Sequence, residues 1–98
     1  MQMFYLEFLG GCRRFKFIPP MNSYYFKDHV YRNLSTGIYA SCEHLCVMAS
    51  ECVSVNVGPR IEDKVICELS NSDHWHHPKD LQPRQGWTYR GAEVRLRT

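Results

Sequence analysis

The run SCEHLCVMASECVSVNV, Ser41 to Val57, decides how the chain folds. Within it Cys42, Leu45, Cys46 and Ala49 recur at i, i+3, i+4 and i+7, which is the stripe of one helical face. Ser41 supplies an N-cap hydroxyl, and Glu43 places negative charge in the first turn, where the helix dipole favours it. The pattern predicts a helix over roughly 41–50. From Cys52 the period changes to two. Val53, Val55 and Val57 fall on one side of an extended segment, and Cys52, Ser54 and Asn56 on the other.

Working toward the C-terminus, Gly58–Lys64 reads as a polar loop and Val65–Leu69 as the next strand. The two strands are expected to pair as an antiparallel hairpin with a long tip. Ser70–Lys79 is polar and carries His74, Trp75, His76 and His77. Gly86–Arg90 reads as a last short strand. Toward the N-terminus, Phe15 and Phe17 alternate with Arg14 and Lys16, so Cys12–Ile18 is expected to be a half-buried strand that Pro19-Pro20 ends. Val30 and Tyr31 suggest a short strand within His29–Leu34, and Ser35-Thr36-Gly37 reads as a turn.

With 98 residues the chain has room for one domain. Its content, 44% hydrophobic and 22% charged, is globular rather than disordered, and a net charge of +2 is too mild to mark a nucleic-acid binder. No run of about 18 apolar residues occurs, so no membrane insertion is expected. Met1–Gly11 is apolar but interrupted by Glu7, and lacks both a basic start and a small-residue cleavage site. It is read as a leader or linker remnant, with an edge strand as the rival. The domain is placed at 12–93 and a basic tail at 94–98.

Five cysteines in so short a chain point to disulfide stapling. Four of them form Cys42-x3-Cys46-x5-Cys52-x14-Cys67, which allows three pairings. Cys42 and Cys46 lie one helical turn apart and face the same side. If the hairpin packs on that side, Cys46 near the helix end meets Cys52 after the chain reverses, and Cys42 is left for Cys67. The nested arrangement Cys42–Cys67 with Cys46–Cys52 is therefore preferred. Zinc is the rival, but only one cysteine pair has knuckle spacing, and His74, His76 and His77 do not follow with the spacing of a finger. No metal and no cofactor are expected.

The segments CEHLCVMASECVSVNV, ICELSNSD and GWTYRG together resemble the PAN/apple domain, most closely the extracellular PAN modules of invertebrates such as cnidarians. Cys42, Cys46, Cys52 and Cys67 match the four core cysteines, Ser54 and Asn56 the strand centre, and Glu68 and Leu69 the residues after the fourth cysteine. The resemblance spans about Cys12–Glu93. It implies an α+β fold in which a single helix packs on a curved antiparallel sheet, stapled by the nested disulfides. It also implies an extracellular setting, secreted or in the ectodomain of a larger protein, and binding of proteins or carbohydrates without catalysis. Apple domains proper add a disulfide between the chain ends. Cys12 matches its first cysteine, but no partner occurs in Gly91–Thr98, so Cys12 is expected to be unpaired or to bond another chain.

Among the remaining residues, Asn33-Leu34-Ser35 is the one N-glycosylation sequon, with an unmodified strand-end asparagine as the alternative. Arg13, Arg14 and Lys16 on the first strand and Arg60 and Lys64 in the hairpin loop could contact sulfated glycans; a solvated strand face is the plainer reading. The histidine cluster reads as a polar surface loop. No Gly-x-Ser-x-Gly elbow, phosphate loop or His-Glu-x-x-His motif is present, so no enzyme is expected. Two functions stand against each other: a recognition or adhesion module for protein or glycan, and a structural spacer of a larger extracellular protein.

Overall fold

The structure, a computed structural model, describes residues 16–37 and 41–93. Strands β1 (Met21–Phe26) and β2 (Val30–Thr36) precede one helix, α1 (Cys42–Met48). Strands β3 (Ser54–Ile61), β4 (Lys64–Ser70) and β5 (Leu81–Gly91) follow, with a short 3-10 turn at Pro78–Asp80 before β5. All pairings are antiparallel, in the order β1-β5-β3-β4-β2. Among the described residues the architecture is α+β, one helix on a five-stranded antiparallel sheet. No helix among the described residues is long and apolar enough to cross a membrane.

The helix begins where its cap predicts. Ser41 Oγ accepts from the His44 N–H at 3.0 Å, and Glu43 sits in the first turn. At seven residues it is too short to be stable alone, so its apolar face must be held by the sheet. Two disulfides do this: Cys42–Cys67 ties the first turn to β4, and Cys46–Cys52 ties the last turn to the chain just before β3. Their sulfurs lie in a core with Val55 and Leu69, all at most 3% exposed, with Phe17, Leu34, Leu45, Ala49, Val57 and Val65 packed around it. The Arg90 guanidinium closes the edge of this layer, 3.0 Å from the Glu43 carboxylate and over the Phe17 ring.

Strand alternation divides the sheet into two faces. The helix-side residues Val55, Val57, Cys67 and Leu69 alternate with Ser54, Asn56, Glu68 and Ser70, which point the other way. The far face is also buried where Asn56 stands. The Asn56 amide binds the Phe26 main chain, so the end of β1 and the start of β5 curl across that face. Phe26 and Tyr89, both fully buried, fill the space beneath, with ring centroids 5.7 Å apart.

Several sequence expectations are corrected. Gly58–Lys64 is not a long loop: β3 runs to Ile61, β4 starts at Lys64, and Glu62 and Asp63 alone make the turn, both at positive φ. Two residues in that conformation match the right-handed twist of a tight hairpin. Ser35 and Thr36 belong to β2, because they pair with Ile66 and Val65. The last strand begins at Leu81 and has 11 residues, not five. Of the strand expected at Cys12–Ile18, the described part makes one bridge, Phe17 to Ala92. Cys12, Arg13 and Arg14, the segment Met1–Gly11 and the tail 94–98 lie outside the described residues.

Candidate functional site: a groove on the far face of the sheet

Beyond the part covered by β1, the far face carries an open groove of about 470 Å³. It is lined by Asn33, Leu34 and Ser35 of β2, Ile66 and Glu68 of β4, and Trp87 of β5. The register explains the gathering. Asn33 stands opposite Glu68, and Ser35 opposite Ile66, so strand pairing sets both rows side by side. Glu68 Oε1 accepts from the Asn56 amide at 3.0 Å, which fixes the carboxylate at the inner end of the groove.

Trp87 reaches this face by alternation, two residues before Tyr89 and next to Gly58 as the β3–β5 register continues, and β5 is irregular on its other edge, toward β1. Between Asn22–Thr88 and Tyr24–Pro83, β1 advances two residues while β5 advances five. The surplus, residues 84–87, arches out of the ladder, with Gly86 at φ +90° making the turn and Ser23 at φ 68° opposite. The indole lies against Gly58, where a Cβ would come within 3.1 Å of the six-membered ring. Arg84, on the same arch, sets its guanidinium 4.6 Å from the Trp87 ring centroid and 4.7 Å from that of Tyr25. A cation held by two aromatic rings is oriented as well as attracted.

The result is a concave surface with an apolar wall, Trp87 and Ile66, and a polar rim, Asn33, Ser35 and Glu68. Ile66 is 38% exposed, an apolar side chain left open to solvent in the middle of a strand. The surface offers hydrogen-bond donors and acceptors around an apolar patch.

The structure disperses most of the residues singled out from sequence. Lys16 is exposed, and its carbonyl accepts from the Glu93 N–H beside the Phe17–Ala92 bridge, near the Ser54 end of β3. Arg60 and Lys64 sit at the other end, six strand residues or roughly 20 Å away. Arg60 pairs with Val65 and so shares the helix face, whereas Lys64 pairs with Ile61 on the opposite face. Asn33 is exposed at the fourth position of the seven-residue β2, not at a strand end, and lines the groove.

The histidine cluster is divided as well. Asp73, fully buried, organises the segment: its Oδ1 accepts from the Trp75 and His76 N–H groups at 3.1 Å and meets His76 Nδ1 at 2.9 Å. The Trp75 indole N–H donates to the Ala92 carbonyl at 2.8 Å. His74 instead turns inward to the Tyr89 hydroxyl, which accepts from the His74 main-chain N–H and lies 2.8 Å from Nδ1. Burial lowers the His74 pKa, with the Asp73 charge opposing it, and burial pushes Tyr89 up to about 12. The His77 N–H still donates to the Asp73 carbonyl at 3.0 Å, but its ring turns away and stacks on His29.

Sequence reasoning missed Arg84, Ile66, Glu68 and Tyr25 as members of one surface. Its available signal was Pro83 and Gly86 inside an otherwise strand-like run, the mark of a bulge. Fold and surface together define a small disulfide-stapled α+β domain with an exposed groove. Comparison with protein-family models, curated proteins and solved structures finds no match for this chain.

Proposed function

We propose that this chain is a non-catalytic extracellular recognition module that binds a carbohydrate through the groove beside Trp87. One observation carries the proposal: an apolar wall and a polar rim meet in a concave surface on a face held rigid by disulfides and strand pairing. A sugar ring has the same two characters, apolar C–H faces and a ring of hydroxyls. Arg84, fixed over Tyr25 and Trp87, adds a cation beside the groove suited to a sulfate or carboxylate on that sugar. The extracellular assignment rests on the two disulfides, which persist in oxidising compartments. The resemblance to PAN modules points the same way.

The experiment is a glycan-array screen with the oxidised Asn33→Gln protein, so that no N-glycan covers the groove, followed by affinity measurement for Trp87→Ala and Arg84→Ala. Loss of a central anchor removes about 2 kcal/mol or more, so Trp87→Ala is expected to weaken binding roughly thirtyfold. Array silence together with saturable capture of a defined extracellular protein, sensitive to Trp87→Ala, would replace the carbohydrate by a peptide surface. Silence in both assays would leave the chain a spacer.

A further inference from the structure

Away from the groove, the turn after β1 and the segment before β5 bring together His29, His77 and Asp80. Each offers one ligand atom, and the three atoms all lie within 4.8 Å of one another. His29 Nε2 is already 2.8 Å from Asp80 Oδ2. The His29 and His77 rings stack with centroids 4.4 Å apart. Phe26 backs the other side of His29 at 5.0 Å, so the ring is clamped with its Nε2 edge toward Asp80.

The backbone holds the three carriers in place. Lys27 N–H donates to the Asp80 carbonyl at 3.0 Å, and Asp80 N–H to the His77 carbonyl at 3.0 Å. Asn71 N–H, just after β4, donates to the His29 carbonyl at 3.3 Å, which ties down the turn that carries His29. Asp28, at φ 73°, makes the sharp turn that aims His29. His29 and Asp80 are 21% and 27% exposed at the side chain, and His77 is exposed, so the cluster is open on one side.

We infer that His29, His77 and Asp80 form a binding site for a divalent transition-metal ion, with zinc as the probe ion. Two imidazoles and one carboxylate are the donors that suit zinc, copper or nickel, and they do not suit calcium or magnesium, which take oxygen ligands. Zinc holds its ligands at about 2.0–2.2 Å. The three ligand atoms already lie within 4.8 Å of one another, so an ion between them needs small side-chain movements, with His29 Nε2 and Asp80 Oδ2 exchanging their 2.8 Å contact for bonds to it. Three protein ligands leave the fourth position to water or to a donor from a partner. The site is independent of the groove, since the two share no residue.

The test uses the oxidised chain with Cys12→Ser, because a free thiol would bind zinc by itself. After chelator treatment, zinc chloride is titrated calorimetrically and the thermal midpoint is followed. The expected result is one equivalent bound and a raised midpoint. Affinity falls about tenfold or more in His77→Ala, because losing a ligand outweighs losing an outer-shell partner. His77 is exposed, so that variant should fold. His76→Ala, next along the chain, should bind zinc as the parent does. No saturable binding, or binding that His77→Ala leaves unchanged, or equal loss in His77→Ala and His76→Ala, would overturn the site.

Discussion

The side-chain amide of Asn56 pairs with the main chain of Phe26 as a neighbouring strand would: Oδ1 accepts from the Phe26 N–H and Nδ2 donates to the Phe26 carbonyl, each at 2.8 Å. Both residues are fully buried. One asparagine therefore satisfies two backbone groups that would otherwise be orphaned in the interior, and so anchors β1 across the far face. Asn56→Leu keeps the branched outline and removes both bonds to the Phe26 main chain. It should destabilise the domain by about 2–4 kcal/mol, since two buried groups lose their bonds. Denaturant titration checks this; a shift below about 1 kcal/mol would show that the contact contributes little.

The two disulfides close loops of 25 and 6 residues by sequence separation. The chain-entropy model assigns roughly 3.5 kcal/mol to the larger and roughly 2.2 kcal/mol to the smaller. The contributions overlap because the loops are nested. Removing Cys42–Cys67 as a double serine variant should therefore lower stability more than removing Cys46–Cys52. Full reduction should unfold the domain, which has few kcal/mol to lose. Circular dichroism with and without reductant reads both, and a reduced chain with an unchanged thermal midpoint would contradict them.

His74 and Tyr89 titrate in opposite directions from their usual values. Burial lowers His74 below 6.5, so as the pH falls the unfolded chain takes up that proton first. The stability tied to neutral His74 is complete above about 6.5 and is lost as the pH drops through the lowered folded value. The fall in thermal midpoint from pH 7 to pH 5 should be smaller in His74→Gln than in the parent. Tyr89 is raised from 10.0 to about 12. Its contribution is complete below pH 10 and lost as the pH rises through about 12. In an absorbance titration, one of the six tyrosines should ionise near 12, and Tyr89→Phe should remove that step.

The hairpin turn holds Glu62 at φ 51° and Asp63 at φ 66°, conformations that L side chains adopt at some energetic cost. Glycine removes that cost at the second position. Asp63→Gly should stabilise the domain by about 0.5–1 kcal/mol, measured by denaturant midpoint. The same change in a flexible loop would destabilise, because glycine widens the unfolded ensemble.

Gly58 lies directly under Trp87. Gly58→Ala places a methyl group 3.1–3.3 Å from three atoms of the indole, so the ring or the strand must give. Overpacking of this kind costs about 1–3 kcal/mol. If the groove is the binding surface, the variant should also lose affinity. The unmodified Asn33→Gln form should bind better than glycosylated protein, because Asn33 stands on the rim. Equal affinities would separate the groove from recognition.

The helix was legible because its evidence is local: a cap, a charge in the first turn and an apolar stripe all lie within ten residues. The disulfide pairing followed from the same stripe, since two sulfurs on one face of a helix must reach whatever packs against that face. The direction of the β3–β4 hairpin was legible for a related reason, a short connection between two period-two runs. Its turn was misread because β3 continues past Gly58 and Pro59, residues that usually end a strand: they fall in a register shift between Val57 and Arg60, after which pairing to β4 resumes.

What lay beyond the sequence depends on contacts between distant segments. The alternation in β3 marked Asn56 as facing away from the valines, but nothing local says that a buried backbone waits there. Likewise, three neighbouring histidines looked like one cluster, yet Asp73, Tyr89 and His29 each claim one of them. The groove exists only because pairing of β3 with β5 sets Trp87 over Gly58 while pairing of β2 with β4 sets Asn33 beside Glu68. Local propensity and cysteine spacing determined the helix, the hairpin and the staples. Tertiary packing alone decided the surface, because a surface is made by which segments meet, and side chains far apart in sequence have no local signal of one another.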